Sequence, residues 1–405
     1  MDLKSTKERL EKAGQEQLLA FYDELDDAQK ESLLAQIEKI DLNDIRLEKE
    51  DTSDDVIEPI EAETLAQLEK DKPEFEEIGL EAIRAGKVAA VLLAGGQGTR
   101  LGLNGPKGAY NIGLTKELYI FECLINNLLE VTQKAGCSVP LLIMTSDKND
   151  KETREFLKEH DYFGYDETSI EFFIQDMAPT TDLNGKIYLE EKGKVSLSPN
   201  GNGGWYKSLK KAGIADKLEA EGIEWINVFA VDNVLQRIAD PAFIGATIKS
   251  GHECGSKVIS KAAPDERVGV MCYRNGRPSI VEYYELTPEM ATEKDESGRL
   301  AYNWGVILNY LFRLDVMNAV EERALPLHSA KKKIPHIDEN GDLIKNDEPD
   351  GYKFETLVLD MVEMMEGCLV YEVDRAKEFA PVKNASGTDS PDSARAMLAA
   401  LGVEL

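Results

Sequence analysis

The residues Leu93-Ala-Gly-Gly-Gln-Gly-Thr-Arg-Leu-Gly102, with Pro106-Lys107-Gly108 just beyond, are the stretch most suited to chemistry. Successive glycines let the backbone approach a ligand closely and turn N–H groups toward phosphate. Arg100 and Lys107 would add one forked cation and one point cation to the same concave place. An ordinary tight turn with surface cations has the same composition, so these residue types alone leave both readings open. Spacing excludes two others. Gly96, Gly98 and Gly102 read G-x-G-x-x-x-G, not the G-x-G-x-x-G of a redox Rossmann fold, and no Gly-Lys-Ser or Gly-Lys-Thr follows to make a Walker A loop. Downstream, Asp232 closes the apolar run Ile226–Val231. A carboxylate at the carboxyl end of a strand is well placed for Mg²⁺, although a helix cap or Asx turn uses the same residue.

The elements that must position these groups are readable from periodicity. Val88–Leu93 is a short apolar run met at once by glycines, as a buried parallel strand is. Phe121, Leu124, Ile125, Leu128 and Leu129 follow helical spacing up to Gly136. Leu141–Thr145, Ile170–Ile174 and Ile226–Val231 read as further strands and Lys151–His160 as a helix. This alternation predicts an α/β fold with a mostly parallel twisted sheet. Arg267–Tyr273 and Pro278–Glu285 flank Asn275-Gly276, the signal of a type I′ hairpin. Phe354–Glu366 reads as a helix, Cys368–Val373 as a strand, and a last helix begins at Ser390-Pro391. Residues 5–40 read as helical, and residues 41–81 as an acidic linker with short helices, carrying Asp51, Asp54, Asp55, Glu58, Glu61 and Glu63 and interrupted by Pro59 and Pro73. The expected division is residues 1–80 as helical segment and linker, 81–345 as the catalytic domain, and 346–405 as a small C-terminal α/β domain.

The 405 residues carry 47 Lys+Arg against 76 Asp+Glu, a net charge of −29. That excess weighs against nucleic acid and anionic membranes as main partners, but not against small phosphate ligands held in a local basic pocket. Five cysteines without a CxxC and four scattered histidines form neither a disulfide framework nor a zinc cluster. With no apolar leader and no long apolar run, the expectation is a reduced, soluble, cytoplasmic protein.

The glycine loop with its downstream Pro-Lys resembles that of sugar-1-phosphate uridylyltransferases in the UDP-sugar pyrophosphorylase family, and within it the UDP-N-acetylglucosamine pyrophosphorylase branch. The resemblance continues in order through Ile143-Met-Thr-Ser, Phe172-Phe-Ile-Gln-Asp-Met-Ala-Pro179, Ser198-Pro-Asn-Gly-Asn-Gly-Gly-Trp-Tyr206, Val231-Asp-Asn-Val234, Val281-Glu-Tyr283, Lys332-Lys-Ile-Pro335 and Glu378-Phe-Ala-Pro-Val-Lys-Asn-Ala385. It implies a Rossmann-like nucleotidyltransferase fold of the GT-A kind. It also implies that Leu93, Ala94, Gly95, Gly96 and Lys107 meet the nucleotide. Gln175 and Gly201 would contact uracil, an amide being able to donate and accept at its imide edge. Asn202, Glu282 and Tyr283 would lie at the sugar, Asp232 would hold Mg²⁺ (or Mn²⁺), and Arg100, Lys107 and Lys383 would act on the phosphates.

The implied reaction joins UTP and a sugar 1-phosphate into a UDP-sugar with release of pyrophosphate. N-acetylglucosamine 1-phosphate is the first expectation for the sugar. Two departures keep glucose, galactose and N-acetylgalactosamine 1-phosphates open: Val306 stands where the branch usually has a sugar-contacting Asn, and Leu357 and Leu359 replace its aromatic pair. A UDP-glucose or broad-specificity enzyme, and a non-catalytic UDP-sugar-binding protein, are the alternatives. The oligomeric state is left open.

Overall fold

Val88–Leu93 is apolar and buried at every position, as a strand is when helices cover both faces of its sheet. In the computed structural model, which describes residues 2–40, 42, 45, 55–323 and 325–405, this strand pairs in parallel with Leu141–Thr145 on one side and Trp225–Ala230 on the other. Ile170–Ile174 adds in parallel to Leu141–Thr145. These strands are the parallel block of a ten-stranded sheet. Beyond them Trp304–Arg313 reverses direction, running antiparallel to Trp225–Ala230 and to Cys254–Ser260. Cys368–Glu372 lies parallel to Cys254–Ser260, and the hairpin Val270–Arg274/Arg277–Val281 with Ile57–Pro59 completes the antiparallel part.

Chain order gives this sheet its functional edge. The chain moves outward from Val88–Leu93 through Leu141–Thr145 to Ile170–Ile174, then returns to place Trp225–Ala230 on the opposite side of Val88–Leu93. The loops leaving Leu93 and Ala230, which are register partners, therefore lie side by side at a switch in strand order, the place where open α/β sheets form a ligand crevice. The helix Ile120–Ala135 covers one face with Phe121, Leu124, Ile125 and Leu128 buried, and ends at Gly136 in the left-handed conformation, φ 77°.

The chain forms two compact units, each assembled from separated stretches. One comprises residues 1–53, 176–204 and 325–357; the other comprises residues 54–175, 205–324 and 358–405 and carries the sheet. In the first unit, Leu3–Ala13 and Asp27–Lys39 bury Leu10, Leu33 and Ile37 against Ile187, Leu189 and Val195.

Three sequence expectations are corrected. Residues 41–81 were expected as a linker with short helices; the stretch around Asp51 and Asp54 lies outside the described residues, but Leu65–Arg84 is one 20-residue helix with Pro73 inside it. Packing overrides the proline. A Cβ on Gly79 would stand 1.9 Å from the Pro241 carbonyl oxygen, and one on Gly245 1.8 Å from that of Phe75, so this helix and Pro241–Ser250 meet backbone to backbone. The expected helix Phe354–Glu366 is divided: Gly351–Glu355 is a strand paired with His328–Lys332, and only Asp360–Glu363 is helical. Phe354 is buried opposite Ser329 in that ladder, a long-range pairing that local periodicity does not report. The hairpin turn is as expected, with Asn275 and Gly276 at φ 54° and 77°, but its second strand ends at Val281, leaving Glu282 in the following turn. Among the described residues no helix is long and apolar enough to cross a membrane.

Candidate active site

The glycine loop is held from behind. Ala94 N–H donates to the Met144 carbonyl at 2.8 Å, carrying the ladder one residue past Leu93. The fully buried Asn149 then donates through Nδ2 to the carbonyls of Ala94 (2.9 Å) and Gly96 (3.2 Å), and Ser146 Oγ donates to that of Gly95 (2.9 Å). In a trans peptide the C=O and the next N–H point in opposite directions. Tying these three carbonyls back therefore turns the amides of Gly95, Gly96 and Gln97 the other way, as an anion-binding nest requires. Sequence reasoning passed over Ser146 as a residue and Asn149 altogether; a Ser-x-x-Asn directly after a strand was the available signal.

Gln175 follows the strand Ile170–Ile174, is buried, and donates its backbone N–H to the Thr145 carbonyl at 2.8 Å. A Cβ on Gly95 would come within 2.6 Å of its Oε1, so the absence of a side chain at 95 lets the amide sit against the loop. Lys107 is positioned by its neighbours. Its N–H donates to the Gly96 carbonyl at 3.2 Å, and Gly108 rests on the Phe121 ring so closely that a Cβ would lie 2.3 Å from it.

Charge converges on Asp232, two residues beyond the strand Trp225–Ala230. Lys107 Nζ lies 3.8 Å and Lys383 Nζ 3.9 Å from its Oδ2. Burial lowers the Lys107 pKa from the ordinary lysine value; Asp232 opposes the shift, while Lys383 and Arg100 add to it. Arg100 itself is exposed on the single turn Thr99–Leu101. Lys383 reaches the crevice because the C-terminal stretch runs antiparallel to the loop after Asp232. Val382 N–H donates to the Asp232 carbonyl (2.8 Å) and Val234 N–H to that of Ala380 (3.3 Å). That loop is braced by buried amides: Asn309 Nδ2 donates to Gln236 Oε1 at 2.9 Å, and Ala239 N–H to Asn227 Oδ1 at 2.7 Å.

Among the described residues no three His, Cys, Asp or Glu side chains converge as a metal cage. One hard carboxylate, Asp232, nevertheless fits Mg²⁺, which commonly takes one or two carboxylates and completes its shell with substrate phosphates and water. Elsewhere in the sheet unit, Glu282 and Val306 both lie near Gly269, as does Ile280: a Cβ on that glycine would lie 3.0 Å from Ile280 Cγ2, 3.4 Å from Val306 Cγ2 and 3.7 Å from Glu282 Oε1. Tyr283 is exposed and packs edge-on against Tyr284 with centroids 5.2 Å apart. Gly201 and Asn202 belong to the other unit. There Gly201 adopts φ 85°, and a Cβ on it would lie 2.2 Å from the Thr356 carbonyl oxygen, so only glycine suits the position. The structure thus gathers Leu93, Ala94, Gly95, Gly96, Lys107, Gln175, Asp232 and Lys383 at the carboxyl ends of the parallel strands, with Arg100 in electrostatic range of Lys107.

The profile of the UDPGP family, described as UTP–glucose-1-phosphate uridylyltransferase, matches residues 30–397. The chain belongs to this family. It is 38% identical to the Homo sapiens UDP-N-acetylhexosamine pyrophosphorylase-like protein 1, over 96% of this chain and 82% of that protein. It is 36% identical to the Saccharomyces cerevisiae UDP-N-acetylglucosamine pyrophosphorylase, over 98% of this chain and 90% of that protein. The crystal structure of the Trypanosoma brucei uridine diphosphate N-acetylglucosamine pyrophosphorylase in complex with an inhibitor superposes with a TM-score of 0.84. That match has 31% identity and covers 96% of this chain and 83% of that one. The resemblance read from motifs in the sequence is therefore borne out, as is the nucleotidyltransferase-like α/β fold. As a UDPGP member the chain supports its glycine loop through Ser146 and Asn149, two residues to which the motifs gave no role.

Proposed function

We propose that this chain catalyses uridylyl transfer from UTP to a sugar 1-phosphate, with N-acetylglucosamine 1-phosphate as the preferred acceptor, in the reduced cytoplasm. The observation that carries the reading is the Lys107–Asp232–Lys383 cluster at the sheet's switch point beside an outward-facing glycine loop. A sugar phosphate oxygen attacks the α-phosphorus of UTP in line. The new P–O bond forms as the bond to the bridging α–β oxygen breaks, and pyrophosphate leaves. The nucleophile is already ionised near neutral pH, so positioning and charge neutralisation are the protein's task.

Gln175 reads the uracil edge, and Gly201 is a backbone contact to uracil. The amides of Gly95 and Gly96, Arg100 and Lys107 hold the departing pyrophosphate. Lys383 neutralises charge at the reacting phosphate, and Asn202, Glu282 and Tyr283 take the sugar. Asp232 would hold Mg²⁺ (or Mn²⁺), which supplies further neutralisation of phosphate charge when bound.

The test is pyrophosphate release from UTP with a panel of sugar 1-phosphates, with ATP, CTP, GTP and dTTP as controls. Release with UTP alone, fastest with N-acetylglucosamine 1-phosphate, is the expected outcome. A preference for glucose 1-phosphate would support the second reading, which Val306 favours because its side chain offers the sugar no hydrogen bond. A folded chain that binds UTP yet releases no pyrophosphate with any sugar would overturn catalysis.

A further inference from the structure

Among the described residues Lys257 is the one lysine whose side chain has no exposure, and it lies outside the sequence motifs. It projects from the strand Cys254–Ser260 between two carboxylates, with Nζ 2.7 Å from Asp240 Oδ2 and 2.6 Å from Glu378 Oε2. The guanidinium of Arg237 lies 4.0 Å from the other oxygen of Glu378. Placing three ionised groups in a protein interior is costly, and well-packed apolar residues commonly fill such space with equal or better stability. What a buried charged triad adds is direction, since each group must meet its partners at hydrogen-bond distance.

The direction leads to the crevice. Asn233, next to Asp232, donates through Nδ2 to the Glu378 carbonyl at 2.7 Å and accepts the Ala380 N–H on Oδ1 at 2.8 Å. Val382 N–H then closes on the Asp232 carbonyl at 2.8 Å, and Lys383 N–H on that of Asp389. The Lys383 side chain is half-exposed, so the place of its Nζ depends on the backbone from which it springs. That backbone is clamped at Glu378 from one side and along Asp232–Val234 from the other.

We propose that the buried Lys257–Glu378–Asp240 triad, acting with Asn233, is a positioning device that sets Lys383 against Asp232 for phosphate chemistry. Lys257 and Glu378 are positioning residues: they act through Lys383. The inference rests on the role given to Lys383 in uridylyl transfer.

A kinetic double-mutant cycle on the full chain tests it, with UTP, Mg²⁺ and N-acetylglucosamine 1-phosphate as substrates and thermal unfolding as the check on folding. Misplacement of a catalytic group by about 1 Å can cost on the order of 100-fold. Glu378→Gln, which keeps the shape but weakens the grip on Lys257, is therefore expected to lower kcat about 10- to 100-fold while the KM for UTP changes far less. In a Lys383→Ala background the same substitution should slow the enzyme little further, because the group it positions is gone.

A folded Glu378→Gln enzyme with wild-type kcat, or one whose effect multiplies in full with that of Lys383→Ala, overturns the proposal. Wild-type kcat in Lys383→Ala alone has a different meaning, since it removes the catalytic role of Lys383 itself. Should Glu378→Gln fail to fold, Asp240→Asn goes through the same cycle. It keeps the Lys257–Glu378 contact and the helix cap on Ala242 N–H, and full multiplicativity there is equally fatal.

Discussion

Lys107 shows at the residue scale how one environment serves function at the expense of stability. Burial, Lys383 and Arg100 lower its pKa against the pull of Asp232. In the free enzyme its charge is therefore lost at a lower pH than the usual lysine value of about 10.4. The kcat/KM for UTP should fall on the alkaline side with an apparent pKa below that value, and Lys107→Arg should move this limb upward. Lys107→Ala should cost about 10²–10³ in turnover, the usual loss for a preorganised donor to developing charge. The stability sign is opposite. Because the folded pKa lies below the unfolded one, the unfolded chain binds more protons between the two, and stability rises with pH through that window. Lys107→Met should accordingly unfold at no lower temperature than wild type at neutral pH although its activity is lost; a marked fall in Tm would show that the Asp232 contact outweighs burial. Gly95 gives the second residue-level expectation. Gly95→Ala places a methyl carbon 2.6 Å from Gln175 Oε1. The amide must shift, so the KM for UTP should rise about tenfold and the preference over CTP should shrink. An unchanged nucleotide preference would remove Gln175 from base recognition.

At the scale of elements, the stretches closest to the crevice were the most readable. Val88–Leu93, Leu141–Thr145 and Ile170–Ile174 have the bounds expected from their apolar runs, and Ser390 caps the last helix by accepting the Ser393 N–H. Val88–Leu93 and Leu141–Thr145 are short and buried at every position, so local pattern and tertiary environment agree. Where the two disagree, sequence reasoning failed. Pro73 argued for a break, but the helix Leu65–Arg84 persists because Gly79 and Gly245 allow it to lie directly on Pro241–Ser250. The support beneath the glycine loop was hidden for a related reason. Asn149 and Lys257 are polar residues in buried places, and only the fold reveals the carbonyls and carboxylates that satisfy them. The helix contact can be tested directly. Gly79→Val meets the Pro241 backbone rather than a flexible side chain, so overpacking should destabilise the protein by about 1–3 kcal/mol or more. Thermal unfolding should show a clear fall in Tm with the KM for UTP unchanged in whatever enzyme remains folded. An unchanged Tm would mean that the two helices can separate at little cost.

At the scale of the whole molecule, the separated stretches of each unit set the limit on what a sequence can disclose. The amphipathic pattern of residues 5–40 announces helices, yet their apolar face is buried on Ile187, Leu189 and Val195, a pairing about which spacing along the chain is silent. Net charge, in contrast, is fully readable, and its consequence belongs to the molecule as a whole. With 76 acidic against 47 basic side chains, the folded chain concentrates negative charge that the unfolded chain spreads out, so self-repulsion opposes folding. Surface ion pairs such as Lys134–Glu76 and Arg154–Asp150 act the other way, but exposed pairs of this kind contribute little individually. Added salt weakens the first far more than the second. The Debye length falls from about 30 Å at 0.01 M to about 10 Å at 0.1 M, which removes long-range repulsion while leaving contacts of 3–4 Å largely intact. Tm should therefore rise as sodium chloride is increased over that range at neutral pH. The rise should diminish as pH falls into the carboxylate range and the acidic excess is neutralised. A Tm that falls steadily with salt at neutral pH would mean that the ion pairs, and not the net charge, dominate the electrostatics of folding in this chain.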